Sequence, residues 1–352
     1  MGDNARKNII YSIILLLVVF IVFLYRKNLQ DPNLPTTAEE SNKIVVTGQT
    51  MGTTYRAVYL DEQRRDFKEE IDSILVAFNQ SLSTYIPDSE ISRFNRNDTL
   101  QIKSEFFYPV LAASKQIFEE TGGAFDPTIG TLTNIWGFGP EGAQQKDTVE
   151  IRDILRIVDF NLVSFDQSQV VKQRTGVQLD FSAIAKGYGV DVVADFLQSK
   201  GIINLLVEIG GELVGRGVNE HGELWKIGIN QPDEESAADE LNTVIALQDQ
   251  GLATSGNYRN FYIRDGIKYS HTISPFTGFP VRHGLLSATV LAENCMLADA
   301  YATAFMVMGT EEAISLQQQL GNIEIFLIFN DQEGNLDTYV SEGLKPFISN
   351  IE

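Results

Sequence analysis

The sequence predicts an α+β fold in which a mixed, largely antiparallel sheet packs against helices, preceded by one N-terminal transmembrane helix. Alternation of apolar and polar residues dominates the second half of the chain, and short turns containing glycine or aspartate join several of these segments. Helical periodicity occurs in separate blocks. Runs of adjacent strands with segregated helices favour α+β over a regularly alternating parallel α/β fold.

The N-terminal segment has the composition of a membrane anchor. Residues 9–25 are almost uninterrupted apolar sequence with basic residues on both sides, and as a helix they span roughly 25 Å, close to a bilayer core. The residues that end this segment are not the small ones that a signal-peptide cleavage site requires. We therefore predict a membrane anchor over residues 1–27. Residues 28–42 are polar, acidic and broken by prolines, which predicts a flexible tether.

The expected location is the inner (cytoplasmic) membrane, crossed once, with the large domain on the periplasmic or extracytoplasmic side. Lysine and arginine are balanced across the span, so that only the N-terminal amine favours this orientation.

Residues 43–352 are predicted to form the folded domain, since 43% of the chain is hydrophobic and can form a large core. Period-two alternation predicts strands at 43–47, 53–60, 204–209, 213–218, 225–230, 242–247, 258–264, 286–291 and 323–329. Apolar residues at helical spacing predict helices that begin near residue 67 and cover about 106–121, 151–158, 187–200, 296–307 and 311–320.

Composition excludes several classes of protein. A formal net charge of -20, with no local cluster of lysine and arginine, argues against nucleic-acid binding, which depends on basic surface. The single cysteine, Cys295, excludes an internal disulfide, and with 3 histidines a Cys/His zinc site is not expected. Oxygen-ligated metals remain compatible with this composition.

A turn of small residues in the middle of the chain has the properties of a phosphate-binding turn. Residues 177–181 alternate as a strand, and the helical pattern that follows places Asp180 and Lys186 at the two ends of the joint. Free N–H groups at a helix start favour an anion, and a lysine adds a full positive charge. The alternative is a structural turn whose lysine faces water, since the pattern differs from the usual P-loop.

A second candidate site lies in the helix predicted to follow Asn294. Asp299 and Thr303 are four residues apart and therefore lie on one helix face. A carboxylate beside a hydroxyl offers the hard oxygen ligands that Mg²⁺ prefers. Alternatively, the hydroxyl bonds back to its own helix and the carboxylate faces solvent. The alanines around the pair indicate close packing and favour the metal-binding interpretation.

His271 lies where a predicted strand enters a turn containing proline and glycine. Such a histidine can act as a general base near neutral pH, although a lone histidine is more often structural.

The motifs of this chain, in order, resemble those of the bacterial FAD:protein FMN transferases, the ApbE family. The motifs that carry the resemblance are Met51-Gly-Thr-Thr-Tyr55, Ser83-Thr-Tyr85 with Ser92-Arg-Phe-Asn95, Gly123-Ala-Phe-Asp-Pro127, Leu179-Asp-Phe-Ser-Ala-Ile-Ala-Lys-Gly-Tyr188, Gly210-Gly211, Ser255-Gly-Asn-Tyr258, His271-Thr-Ile-Ser-Pro275 and Ala298-Asp-Ala-Tyr-Ala-Thr303. Members are exported and often held at the membrane as lipoproteins. This chain has no lipidation cysteine after its apolar segment, and the predicted transmembrane anchor takes that role.

The resemblance implies a set of site residues. FAD would be contacted by Met51, Tyr85, Ala124, Phe125, Asp126, Asp180, Lys186 and Ile273. Magnesium would be held by Asp299, Thr303 and a main-chain oxygen at Ala183. His271 matches the histidine proposed as a base, while Ser274 stands where many members have aspartate. His271, Asp299 and Lys186 are therefore the candidate catalytic residues.

The implied activity is Mg²⁺-dependent transfer of FMN from FAD to a serine or threonine hydroxyl of a partner protein, with release of AMP. The acceptor would be a respiratory or redox subunit carrying a short Ser/Thr motif, and since none is recognised in this chain, modification is expected in trans. Two alternatives remain: an FAD pyrophosphatase that produces FMN and AMP, and an anchored FAD-binding protein without catalysis.

Overall fold

A computed structural model describes residues 42–140, 148–230, 241–257, 261–264, 267–270 and 272–350. Its helices are α1 (Lys68–Leu82), α2 (Glu90–Arg96), α3 (Phe107–Glu120), α4 (Gly130–Trp136), α5 (Thr148–Leu155), α6 (Ala185–Ser199), α7 (Cys295–Met308) and α8 (Thr310–Leu320). Its strands are β1 (Lys43–Thr50), β2 (Thr53–Leu60), β3 (Thr99–Gln101), β4 (Val163–Phe165), β5 (Gln169–Lys172), β6 (Leu205–Ile209), β7 (Glu212–Arg216), β8 (Trp225–Asn230), β9 (Leu241–Leu247), β10 (Gln250–Gly256), β11 (Phe261–Arg264), β12 (Ile267–Ser270), β13 (Leu285–Ala292), β14 (Glu324–Asn330), β15 (Leu336–Val340) and β16 (Ile348–Asn350).

An eight-stranded sheet in the order β1-β2-β6-β7-β10-β13-β14-β15 forms the centre of the domain. Every strand pair within the described residues is antiparallel, and the one parallel pairing there is an isolated bridge between Ile129 and Gln178. The predicted α+β class is confirmed. We expected a mixed, largely antiparallel sheet, and the described sheets are antiparallel throughout, because successive strands are joined by hairpins or by excursions that return in the opposite direction.

The large sheet buries apolar side chains on both faces. On β14, Ile325 and Leu327 pack with the helices, whereas Phe326 and Ile328 pack toward the smaller sheet β8-β9-β16. This alternation follows from the two-residue period of a strand. Helices α1, α6 and α7 therefore pack on one face of the sheet, and this packing fixes the position of their side chains relative to the sheet.

Helices α6 and α7 make the contact that organises the candidate site. A Cβ added at Gly187 would lie 2.2 Å from the carbonyl oxygen of Cys295, so that only glycine allows the two helices to approach this closely. The buried Asp191 carboxylate of α6 accepts the N–H groups of Cys295 and Met296 at 2.9 and 2.7 Å. Asn294 accepts the N–H of Leu297, which completes the cap of α7.

Several sequence predictions differ from the structure. Residues 177–181 are extended and buried, but they form one isolated bridge instead of a strand, because no neighbouring strand continues the pairing. Helix α6 begins at Ala185, two residues earlier than predicted, which places Lys186 inside its first turn. Helix α5 begins three residues before the predicted position. Sequence patterns missed the short elements α2, α4, β3, β4, β5, β10, β15 and β16.

The predicted anchor and tether lie outside the described residues, apart from Asn42. Within the described part of the chain, no helix combines the length and the apolar character needed to cross a membrane.

The Asp191 contact predicts how stability depends on pH. Burial raises the pKa of Asp191 to about 7, whereas an unfolded aspartate has a pKa of about 3.9. Because the folded state then binds the extra proton between these values, the contribution of Asp191 is greatest below pH 4 and is lost as pH rises through about 7. We expect the unfolding free energy of the wild type, minus that of Asp191→Asn, to fall by a few kcal/mol over this range.

Denaturant unfolding at several pH values measures this difference, and Glu69→Gln, at an exposed carboxylate on α1, is the control that should lack the trend. A difference that rises with pH would mean that the two N–H donors hold Asp191 ionised, contrary to the prediction.

Candidate functional site

Hydrogen bonds of Asp180 fix the position of the segment before α6. One carboxylate oxygen accepts the Thr133 hydroxyl at 2.8 Å and the other accepts the N–H of Ser182 at 2.8 Å. The N–H of Asp180 donates to the carbonyl of Pro127 at 2.8 Å. These bonds fix the path of the turn between Asp180 and Lys186. Asp180 also lines a cavity of about 190 Å³, together with Thr84, Thr133, Asn134 and Gln178.

Lys186 forms an ion pair with Glu212, a residue that the sequence analysis did not select. The Lys186 ammonium contacts one carboxylate oxygen of Glu212. Glu212 is 5% exposed and begins β7, directly after Gly210 and Gly211, whose φ angles are 63° and 108°. A carboxylate that follows two glycines at a hairpin turn was the signal available in the sequence, because such a turn presents the next side chain in a fixed direction.

The Asp299 carboxylate completes this charge cluster. Asp299 is 3% exposed on α7, and one of its oxygens accepts the N–H of Gly187 at 3.0 Å. Thr303, one turn later and half-buried, lies with its hydroxyl 3.4 Å from that of Ser255. Asp299 therefore lies against the first turn of α6, which carries Lys186, and its burial excludes the solvent-facing alternative for this carboxylate.

Charges in the cluster are unequal. Burial alone lowers the pKa of Lys186, but the Asp299 and Glu212 carboxylates outweigh it and hold the pKa above its ordinary value. Burial raises the pKa of both Glu212 and Asp299, and the charge of Asp299 raises that of Glu212 further. The Lys186 ammonium acts in the opposite direction on both acids. The pKa of the lysine and the pKa of both acids are raised together because one ammonium faces two carboxylates. With both acids ionised the cluster would carry one negative charge in excess, which a cation would offset.

A divalent cation fits the side chains at this point. Asp299 supplies an anionic oxygen, Thr303 a hydroxyl one turn away, and Ala183 lies half-buried in the turn that α6 continues. Mg²⁺ is bound in proteins by one or two carboxylates while its other positions hold water and substrate phosphates. Within the described residues, no three His, Cys, Asp or Glu side chains converge as a metal-binding group. A cation here therefore depends on Asp299.

Met51 and Tyr85 are held by different parts of the fold. Met51 occupies the tip of the β1–β2 hairpin with φ of 50°, and its methyl carbon lies 2.6 Å from where a Cβ on Gly189 would be. The hairpin tip thus contacts the first turns of α6. Tyr85 is 64% exposed, and its hydroxyl donates to the carbonyl of Phe138 at 3.1 Å. An exposed aromatic ring held by its hydroxyl is available to stack on a planar ligand.

The remaining predicted residues are buried in the loops around the site. Ala124 and Phe125 are each 3% exposed. Asp126 accepts the N–H and hydroxyl of Thr128 at 2.8 and 2.6 Å, and burial raises its pKa to about 6. Ile273 packs with the apolar side chains of α4 and α5. His271 lies outside the described residues, so that its position relative to the other site residues is not described.

Comparison with known proteins identifies the family of this chain. A family model for the ApbE family matches residues 51–327, and the chain belongs to this family. The solved flavin transferase ApbE from Vibrio cholerae superposes with a TM-score of 0.80 at 37% identity, covering 87% of this chain and 99% of that chain. The ApbE protein from Thermotoga maritima superposes with a TM-score of 0.76 at 28% identity, covering 87% and 99%.

Curated relatives have one activity name in common. The FAD:protein FMN transferase of Vibrio cholerae is 37% identical over 319 residues, which are 88% of this chain and 94% of that protein. The FAD:protein FMN transferase of Escherichia coli K12 is 34% identical over 326 residues, which are 89% of this chain and 92% of that protein.

Proposed function

We propose that this protein is an FAD:protein FMN transferase that uses Mg²⁺ to move the FMN half of FAD onto a serine or threonine hydroxyl of another protein and releases AMP. The observation that carries the proposal is the meeting of Lys186 and Asp299 at one buried turn, through the contact of α6 with α7. Family membership and the names of the curated relatives support it.

The residues of the turn have separate roles in this proposal. Asp299 and Thr303, with a main-chain oxygen at Ala183, would hold Mg²⁺, which when bound supplies positive charge to the diphosphate. Lys186 stabilises the same oxygens from the side of α6. Met51 and Tyr85 would lie near the flavin ring. The other contacts proposed for FAD are made by Ala124, Phe125, Asp126, Asp180 and Ile273.

The reaction is a displacement at phosphorus. The acceptor hydroxyl oxygen attacks the phosphorus of the FMN half, the bond from that phosphorus to the bridging oxygen breaks, and AMP leaves with the bonding electrons. Negative charge increases on the diphosphate oxygens as the bond breaks, and the positive charge of Lys186 stabilises it. We assign His271 the role of the base that takes the hydroxyl proton.

The same site would act as an FAD pyrophosphatase if water attacked in place of the hydroxyl. Full-length protein solubilised in detergent and incubated with FAD and Mg²⁺ distinguishes the possibilities. AMP release that requires an acceptor protein supports transfer. AMP and FMN without an acceptor would indicate hydrolysis, and bound FAD without turnover would indicate a binding protein.

Asp299→Ala should reduce flavin transfer to background while the protein remains folded. The substitution removes the one carboxylate assigned to the cation and leaves two uncharged oxygens, which bind Mg²⁺ far more weakly. Asp299→Asn keeps an oxygen without the charge, so that raised Mg²⁺ should restore part of its activity. Flavinylation of a family acceptor measured against Mg²⁺ concentration tests this. Asp299→Ala with the wild-type rate and Mg²⁺ dependence would place the metal elsewhere.

His271→Gln should slow transfer by about 10²-fold or more while leaving FAD affinity nearly unchanged, as expected for loss of a general base. Flavin fluorescence measures affinity and flavinylation measures rate. Equal losses in both quantities would indicate a structural histidine.

We also propose that residues 1–27 anchor the domain on the outer side of the cytoplasmic membrane, because residues 9–25 are long and apolar enough to cross a bilayer and members of the family are exported. Protease added to cells with a permeabilised outer layer should digest the domain. Protection that persists until the inner membrane is lysed would refute this topology.

A further inference from the structure

We propose that Glu212 is a positioning residue that holds the Lys186 ammonium beside Asp299, and that flavin transfer depends on Glu212 through Lys186. This inference rests on the proposed function, in which Lys186 stabilises charge on the diphosphate. Three observations carry it: the place of Glu212 in the sheet, its ion pair with Lys186, and the presence of two buried acids around one ammonium.

The backbone fixes Glu212 in place. It pairs with Ile209 across the β6–β7 hairpin, and its strand lies in the interior of the eight-stranded sheet between β6 and β10. The hairpin is held further by the N–H of Gly210, which donates to the carbonyl of Thr54 at 3.1 Å. Because these are backbone contacts, the hairpin does not need the carboxylate to form. The carboxylate is therefore available for a task outside its own hairpin.

Lys186 needs an external partner to adopt one position. Its ammonium is a point charge on a flexible stem of four carbons, and its side chain is 32% exposed, so that helix α6 alone does not fix the charge. Glu212 contacts it through one carboxylate oxygen. The second carboxylate oxygen of Glu212 is buried and has no hydrogen-bond partner among the described residues. The lysine is thus the main group that compensates this buried carboxylate.

A structural ion pair would normally be placed where its charges balance. Here Glu212 is a second buried acid whose charge interacts with Asp299, so that one ammonium faces two carboxylates, which a purely structural pair does not require. Another pair in this chain, Asp61 with Arg65 at 2.8 Å, has nearly the same burial, 6% and 35% exposed against 6% and 32%. It has no second acid among its described contacts and is the matched control.

Thermal unfolding of the single and double variants tests the ion pair without any ligand. In the wild type, Glu212→Gln removes both a buried acid and a partner of Lys186, whereas in a Lys186→Met protein it only removes one of two buried carboxylates left without a cation. The change in Tm on Glu212→Gln should therefore be more favourable in the Lys186→Met background than in the wild type. The same change in Tm in both backgrounds would show that Glu212 acts independently of Lys186 and would overturn the proposal.

Kinetics test the positioning role. At saturating FAD and Mg²⁺, Glu212→Gln should lower kcat about tenfold or more with less than about a threefold change in KM for FAD, since the misplaced charge acts on the departing diphosphate oxygens. Glu212→Asp should recover part of the rate. In the Lys186→Met background, Glu212→Gln should cause no further loss of kcat. Asp61→Asn should lower the Tm and leave kcat unchanged.

AMP release is the rate measured, because it reports transfer and hydrolysis alike. If the wild type releases AMP without an acceptor, the proposed transferase function fails while the role of Glu212 is still decided by the same variants. If Glu212→Gln releases AMP at the wild-type rate, or if its loss is equally large with and without Lys186, the positioning role is refuted while the proposed function stands.

Discussion

The close contact between α6 and α7 is the constraint on which the candidate site depends. Gly187 lets the two helices meet, Asp191 holds the first N–H groups of α7, and the same approach brings the Gly187 N–H to Asp299. One contact therefore sets both the turn that carries Lys186 and the carboxylate assigned to the metal. A side chain at Gly187 would separate them, because a protein interior transmits such a displacement instead of absorbing it.

The charge cluster of the candidate site consists of two buried acidic side chains and one basic side chain. Glu212 and Asp299 are both buried, and Lys186 is the basic residue that faces them. In the absence of a ligand this arrangement disfavours the ionised acids, because desolvation penalises charge that is not compensated. A dication bound as proposed would remove that penalty. Under that proposal, the affinity of the site for metal and the cost of folding without metal would be two effects of the same imbalance.

Sequence patterns predicted the long elements and the local pairs within the site. Asp299 and Thr303 follow from helical spacing, and Lys186 from its place near a helix start, because these relations are local. Glu212 was missed although the Gly210-Gly211 turn marks its place, since its contact with Lys186 depends on how α6 packs on the β6–β7 hairpin, which no local pattern encodes. The extended segment 177–181 was predicted as a strand because burial produced the alternation without a pairing partner. His271 stays a prediction.

The separation of the site residues along the chain has a consequence for when chemistry can begin. Asp299 and Gly187 are 112 residues apart in sequence, and their hydrogen bond joins the middle of the chain to its last third. A chain still being synthesised has the turn before it has the Asp299 carboxylate and the opposing helix. A contact over this separation carries a loop-closure cost that the assembled fold must offset. Chemistry at this site is therefore a property of the completed fold, and its onset would report when folding ends.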